Sequence, residues 1–133
     1  MANTLYTLGK NLILTGGLNW TSANLKAILV SGGYVPNLAT DQFLSIIPGG
    51  DVLSTKVALT GLSVSSGAAF ANPVTFTGVP STDVGTQMVI FVDTGVSSTS
   101  PLIGYVNVGV GLPVTSDGNA ITCTFFGNQV FSI

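Results

Sequence analysis

The chain has 133 residues, of which only eight are charged: three lysines and five aspartates, with no arginine, glutamate or histidine. Charged residues make up 6% of the chain, whereas about 25% is usual in soluble domains. Because the formal net charge is −2 and the lysines form no cluster, a nucleic-acid partner is not expected.

Polarity comes instead from 16 threonines and 13 serines. Mean hydropathy is high at +0.64, but no run approaches the roughly 20 apolar residues of a membrane-spanning helix. The first 14 residues lack a basic start, so no secretory signal is predicted. We expect one domain over residues 1–133, made in a cytoplasm and without a membrane partner, whose uncharged faces are partly covered by other proteins.

Residues 1–20 predict a helical segment that packs on the domain or extends from it. Thr4 can cap a helix that carries Leu5, Leu8 and Leu12 on one stripe. The glycine pair at 16–17 is expected to end this helix.

The rest of the chain predicts mainly strands. Residues 25–30 form a continuous apolar run typical of a buried strand, and Thr40 can cap a second short helix over 40–47. Further strands are predicted at 57–64 (bent at Gly61), 74–79, 88–92, 103–110, 120–126 and 130–133, with 88–92 central. The predicted fold class is all-β: an antiparallel β-sandwich or barrel-like domain with one or two short helices near the N-terminus.

The single cysteine excludes a disulfide within the chain. Cys123 alternates with Ile121 and Phe125, whereas Thr122 and Thr124 have the opposite parity. Since side chains alternate between the two faces of a strand, Cys123 is predicted to be a buried, unreactive thiol.

Residue types needed for catalysis are scarce. Without histidine, neither a Ser-His-Asp nor a Cys-His arrangement is possible in this chain, and the five aspartates lie at least ten residues apart. A Ser–Lys pair remains formally possible, but no spacing singles one out. No cysteine–histidine cluster or calcium loop is present. We therefore expect no enzyme, and no catalytic, cofactor-binding or metal-binding residues.

Three aromatic residues are the candidate interface residues: Tyr6, Trp20 and Tyr34. Aromatic side chains with a polar tip are common anchors of protein interfaces. Such residues also belong in a core when the tip finds a hydrogen bond, and for Trp20, Tyr6 and Tyr34 the core role is the favoured alternative.

Nine short segments point to a relationship with known proteins. They read ANTLY at 2–6, GLNW at 17–20, LKAILV at 25–30, LATDQFLS at 38–45, ALTG at 58–61, VTFT at 74–77, VDTG at 92–95, PLIGY at 101–105 and GLPVT at 111–115. In their order and spacing, the chain resembles a family of small structural proteins of tailed bacteriophages. It differs from that family in its scarcity of Lys, Arg and Glu.

The resemblance implies a virion protein, assembled in the host cytoplasm, that decorates or cements the capsid by bridging capsomers. Its implied partners are the major capsid protein and copies of itself, as a homo-oligomer or a symmetric array on the particle. The alternative is a tail or fibre module that binds a host surface glycan, for which an uncharged surface rich in Ser, Thr and Asn would be suited.

Overall fold

The computed structural model describes residues 4–106, 112 and 114–132. These residues form one helix, α1 (Thr7–Leu14), and short 3-10 turns that include Leu44–Ile46 and Gly49–Asp51. The strands are β1 (Thr4–Leu5), β2 (Leu25–Val30), β3 (Val57–Ala58), β4 (Ser63–Ser65), β5 (Ala68–Phe70), β6 (Val74–Phe76), β7 (Val84–Gly85), β8 (Gln87–Val92), β9 (Leu102–Val106), β10 (Val114–Thr115), β11 (Ile121–Cys123) and β12 (Gln129–Ser132).

A five-stranded antiparallel sheet organises the molecule, with the strand order β1-β9-β8-β2-β3. Its middle strands β2 and β8 pair along their full length, from Leu25 opposite Val92 to Val30 opposite Gln87. The other described strands form smaller sheets, ordered β12-β5-β4, β11-β6 and β10-β7. All of these pairs are antiparallel, which confirms the predicted fold class, and the five-stranded sheet is open at β1 and β3 among the described strands.

One face of the five-stranded sheet packs against the smaller sheets to form the main core. The strands of the five-stranded sheet contribute Leu25, Ala27, Leu29, Met88, Ile90, Ile103 and Val106 to it. The facing layer contributes Ala69, Val74, Phe76, Ile121, Cys123, Val130 and Phe131. The main core is therefore sandwiched between two layers of strands.

The opposite face of the same sheet is also buried, in a second core. Alternate residues of β2 and β8, such as Ile28 and Phe91, point to this side. They are covered by the segment 34–52, which contributes Tyr34, Leu44 and Ile47. Because both faces of β2 and β8 are covered, these strands carry continuous apolar runs instead of alternation.

The prediction of a second short helix over 40–47 is wrong, because the segment 34–52 has no α-helix. The structure has only the three-residue turn Leu44–Ile46 there, and Phe43, just before it, forms an isolated bridge with Pro101. The Leu44 amide donates to the Ser100 carbonyl, 2.9 Å away. Backbone groups that would close a helix are therefore used to attach the segment to the sheet.

The N-terminal helix exists but begins later than predicted. Thr4 lies in β1, paired with Tyr105, so the prediction of Thr4 as the helix cap is wrong. The capping position is held by Tyr6 in an extended conformation, without a side-chain cap bond. The helix packs on β9, since a Cβ atom on Gly9 would lie 2.9 Å from the Ile103 carbonyl oxygen.

The predicted strand 57–64 is two strands in different sheets. Gly61 adopts φ +63°, and a Cβ atom there would meet Asn72 at 2.5 Å, so the chain turns sharply between β3 and β4.

Strands are confirmed within 25–30, 74–79, 88–92, 103–110, 120–126 and 130–133, several of them shorter than predicted. Residues 107–110 and 133 of these predictions lie outside the described residues. The short strands β1, β5, β7 and β10 were not predicted.

Cys123 is buried in the main core, as the alternation predicted, with 1% of its surface exposed. Burial raises the pKa of its thiol to about 11. Each pKa unit is a factor of ten, so the thiolate fraction at neutral pH falls about a hundredfold.

We expect Cys123 to react slowly with a thiol reagent in the folded protein and rapidly after unfolding in denaturant. The neighbouring Thr122 is exposed on the opposite face of β11, so Thr122→Cys should add one rapidly reacting thiol. Rapid labelling of Cys123 in the native wild-type chain would contradict the register of β11.

Candidate functional site

A surface groove of about 470 Å³ opens between the end of α1 and the sheet β12-β5-β4. We call it the apolar groove. It is lined by Ile13, Gly16, Leu18, Asn19, Trp20, Val64, Gly67, Ala68, Ala69 and Phe131. None of these residues is charged, and the polar side-chain groups among them are the amide of Asn19 and the indole N–H of Trp20.

The segment after α1 builds one wall of the apolar groove. Gly16 takes φ +79° and Gly17 approaches Leu12 closely, which turns the chain back along the helix end. Trp20 then points inward, and its Nε1 donates to the Phe70 carbonyl oxygen at 3.0 Å. Its ring meets that of Phe131 edge to face, with centroids 5.2 Å apart and planes at 87°. Trp20 is therefore a rigid, hydrogen-bonded part of the groove.

Exposed apolar side chains occur in the lining of the apolar groove and next to that lining in sequence. Val64, in the middle of β4, lies opposite Ala69 and so shares its face of the sheet. Ala69 is buried in the main core, whereas Val64 is 58% exposed, so the residues that the structure describes leave this edge of the sheet largely uncovered. Leu14, at the end of α1, follows the lining residue Ile13 in sequence and is 78% exposed. An apolar partner surface would find both side chains accessible.

The chemistry of the apolar groove is suited to contact and not to reaction. Among the described residues that line it, none is an acid, base or thiol that could transfer a proton or attack a substrate. Within the described part of the chain, no group of three or more His, Cys, Asp or Glu residues could hold a metal ion. The helix in that part is not long and apolar enough to cross a membrane.

The structure separates the three predicted interface residues. Trp20 lines the apolar groove, whereas Tyr6 and Tyr34 lie together in the second core, on the other side of the five-stranded sheet. Tyr6 is 0% exposed, Tyr34 5% and Trp20 6%, so none presents more than its edge to a partner in this conformation. Their interface role stays a prediction. The accessible residues Val64 and Leu14 were missed, since no sequence pattern shows which strand is left uncovered.

Tyr6 and Tyr34 belong to a buried hydrogen-bonded network. The Tyr34 hydroxyl donates to Asp41 Oδ2 at 2.8 Å and accepts from the Tyr6 hydroxyl at 2.8 Å. The Asn37 amide donates to the same Asp41 oxygen at 2.9 Å. Burial raises the pKa of both tyrosines well above the usual range, so both hydroxyls stay protonated as donors. The network ties the N-terminal strand to the segment 34–52.

Five of the eight charged residues are partly or fully buried. Asp93 is bridged by Lys26 at 2.7 Å and by Lys56 at 3.6 Å, and its side chain is only 8% exposed. Asp41 is buried, and Asp51, which accepts from Ser31 Oγ at 2.7 Å, is partly buried.

The exposed charged residues are Lys10, Lys56 and Asp117. Only these three charged residues are therefore exposed on the surface of the molecule.

Tyr34→Phe should lower the free energy of unfolding by about 1–3 kcal/mol, because it removes a donor from buried Asp41 and an acceptor from Tyr6. Denaturant unfolding measures this loss. Tyr105→Phe, which removes a hydroxyl from a partly buried tyrosine packed on the same core, is the control and should cost less. Equal losses in the two variants would count against the network.

Asp93→Asn should lower the melting temperature at neutral pH. The hydrogen bond from Lys26, with that from the Gly95 amide, lowers the pKa of Asp93 from 3.8 to about 2. Since the folded pKa is depressed, the stabilisation is present above pH 3.8 and is lost as the pH falls through about 2. The difference between variant and wild type should therefore vanish near pH 2. Asp83→Asn, at a carboxylate outside both salt bridges, is the control.

No protein-family model matches the chain, and a search of curated proteins finds no match to it. Its function is therefore inferred from the apolar groove, the charge distribution and the sequence resemblance.

Proposed function

We propose that the chain is a virion structural protein that decorates or cements a tailed-bacteriophage capsid. The observation that carries the proposal is an almost uncharged surface with an apolar groove, in which Val64 is exposed and beside which, in sequence, Leu14 is exposed. Exposed apolar patches on small proteins mark sites of contact with other macromolecules. The sequence resemblance supplies the virion context.

Attachment is by burial of apolar surface. The apolar groove accepts an apolar segment of the major capsid protein where capsomers meet, while Leu14 and Val64 pack around it. A fully buried leucine contributes about 1.5–3 kcal/mol. A single contact of this kind is modest, but many copies on one shell, each bridging neighbouring capsomers, stabilise the particle together.

The proposed role needs no catalysis and no cofactor. The partners are the major capsid protein and further copies of this chain, arranged symmetrically on the particle. The protein is made in the host cytoplasm and becomes part of the virion.

A second candidate is a tail or fibre module that binds a neutral host glycan. Thr75 and Thr122 support it, because their hydroxyls lie 3.0 Å apart on an exposed, uncharged face of β6 and β11. A labelled copy imaged on particles separates the two functions: coverage of the head supports the capsid role, and signal at the tail alone supports adhesion.

Attachment to particles should depend little on salt, because the exposed charged residues Lys10, Lys56 and Asp117 cannot build a dense ionic interface. Screening shortens the Debye length from about 10 Å at 0.1 M to about 3 Å at 1 M salt. Decorated particles washed through this series should retain the protein, and the bound fraction is measured after each wash. Release of most copies by salt alone would contradict apolar attachment.

The apolar contribution is tested with Leu14→Ser. We expect particle binding to weaken roughly tenfold, which corresponds to about 1.4 kcal/mol. Val35→Ser is the matched control, since Val35 is 80% exposed but belongs to the segment on the other side of the five-stranded sheet. Equal weakening by both variants would show that the apolar groove is not the attachment surface.

A further inference from the structure

We propose that two copies of this chain associate edge to edge through β4, so that the sheets β12-β5-β4 of both copies join into one. The proposal concerns the free protein and goes beyond the capsid role, since it names the surface that joins two copies. It rests on three features of β4: its free edge, its lack of protection and its symmetry.

The first feature is the free edge. β4 is the last strand of its sheet and has no strand on its far side among the described residues, and all of its residues are exposed. It is joined to β5 by the two-residue turn Ser66-Gly67, in which both residues have positive φ, 50° and 77°. Turns of this type make the flanking pair, Ser65 and Ala68, the hydrogen-bonded pair.

The hydrogen bonds of β4 follow from this turn. Hydrogen-bonded and non-hydrogen-bonded pairs alternate along an antiparallel ladder, so Val64 opposite Ala69 is a non-hydrogen-bonded pair. The amide and carbonyl of Val64 therefore point away from β5, toward the open side of β4. One donor and one acceptor stand ready there for another strand.

The second feature is that this edge is unprotected. Natural sheets block free edges with lysine, proline, charged side chains or bulges. β4 has none of these residues, and the whole stretch 57–82 is uncharged. The register between β4 and β5 is regular, whereas the pairing of β12 with β5, on the opposite side of the same sheet, contains a shift. The edge at β4 is therefore open to strand addition.

The third feature is symmetry, which identifies the occupant as a second copy. The sequence Ser63-Val64-Ser65 is the same in both directions, so an antiparallel pair centred on Val64 places each serine opposite a serine. The two Val64 residues then exchange both of their outward hydrogen bonds across a two-fold axis. Because β4 carries no charge, the pairing brings no like charges together. The interface is closed and self-complementary.

The pairing also explains the exposure of Val64. Directly opposite residues of an antiparallel pair share one face, so the two Val64 side chains would lie side by side on the face that lines the apolar groove. Each would cover the other, and the apolar grooves of the two copies would become neighbours. The joined sheet would contain six strands, three from each copy.

The test is the mass of the purified full chain by sedimentation equilibrium over a range of concentrations. Wild-type protein should approach twice the chain mass of 13.5 kDa. Val64→Lys places two like charges against each other, and Val64→Pro removes the outward amide but no hydrogen bond to β5. Both should raise the dissociation constant of the dimer at least tenfold, which corresponds to about 1.4 kcal/mol.

Val96→Lys is the matched control, because Val96 is 55% exposed, close to the 58% of Val64, and lies in a loop outside the sheet of β4. It should leave the dimer unchanged, and circular dichroism verifies that all variants are folded. A monomeric wild-type chain at every concentration, or a dimer that Val64→Lys and Val64→Pro leave intact, would overturn the proposal. Particle attachment is measured separately, so failure of the dimer and failure of the capsid role are distinguishable.

A cross-link fixes the register. Hydrogen-bonded antiparallel pairs have Cα atoms about 5.5 Å apart, within disulfide range. Val64→Cys should therefore form a disulfide-linked dimer under mild oxidation, while native Cys123, 1% exposed, stays reduced. Val96→Cys should remain unlinked under the same conditions. A wild-type dimer in which Val64→Cys does not cross-link would place the interface elsewhere and refute pairing through β4.

Discussion

Burial of both faces of the β2–β8 pair is the constraint on which the other elements depend. Side chains of these strands point alternately into the main core and the second core, so each face needs its own cover. The smaller sheets cover one face with paired strands. The segment 34–52 covers the other with irregular backbone, held by bonds such as that from the Leu44 amide to the Ser100 carbonyl. Without regular secondary structure, each buried polar group of this segment needs its own hydrogen-bond partner. The hydrogen bonds between Asp41, Tyr34 and Tyr6 provide such partners in the buried part of the segment.

The scarcity of charge has a consequence inside the fold as well as on its surface. Lys26 is part of β2 and would extend over the second core, where an uncompensated ammonium group would be costly. Asp93, directly after β8, accepts its charge, and Lys56 approaches the same carboxylate and the ring of Phe91. Two of the three lysines are thereby used to close one end of the sheet, and few charges remain to control what the surface binds.

Sequence predicts this structure where burial on a face is decided locally. The run at 25–30 and the alternation around Cys123 predict buried strands correctly, because a covered strand must be apolar on every covered face. Thr4 was misassigned because a good capping residue is equally compatible with a strand, and pairing with β9 decides between them. Val64 shows the limit of sequence-based prediction for the candidate site. Its exposure depends on which strands are covered, which is set by contacts distant in sequence, so an isolated Val between serines gives no sign of an open groove.

The apolar groove and the free edge of β4 have one physical origin. Gly61 turns the chain between β3 and β4, and residues of the hairpin of β4 and β5 then line the apolar groove together with residues at the end of α1. In this hairpin Val64 is exposed, and β4 is the edge strand of its sheet among the described strands. In a chain rich in charge, a lysine at position 64 would protect both the exposed face and the free edge of β4 from contact with other molecules. Here serines flank Val64, and they hydrate the strand without opposing the approach of another one. A surface that remains soluble alone yet accepts an apolar or extended partner follows from that combination.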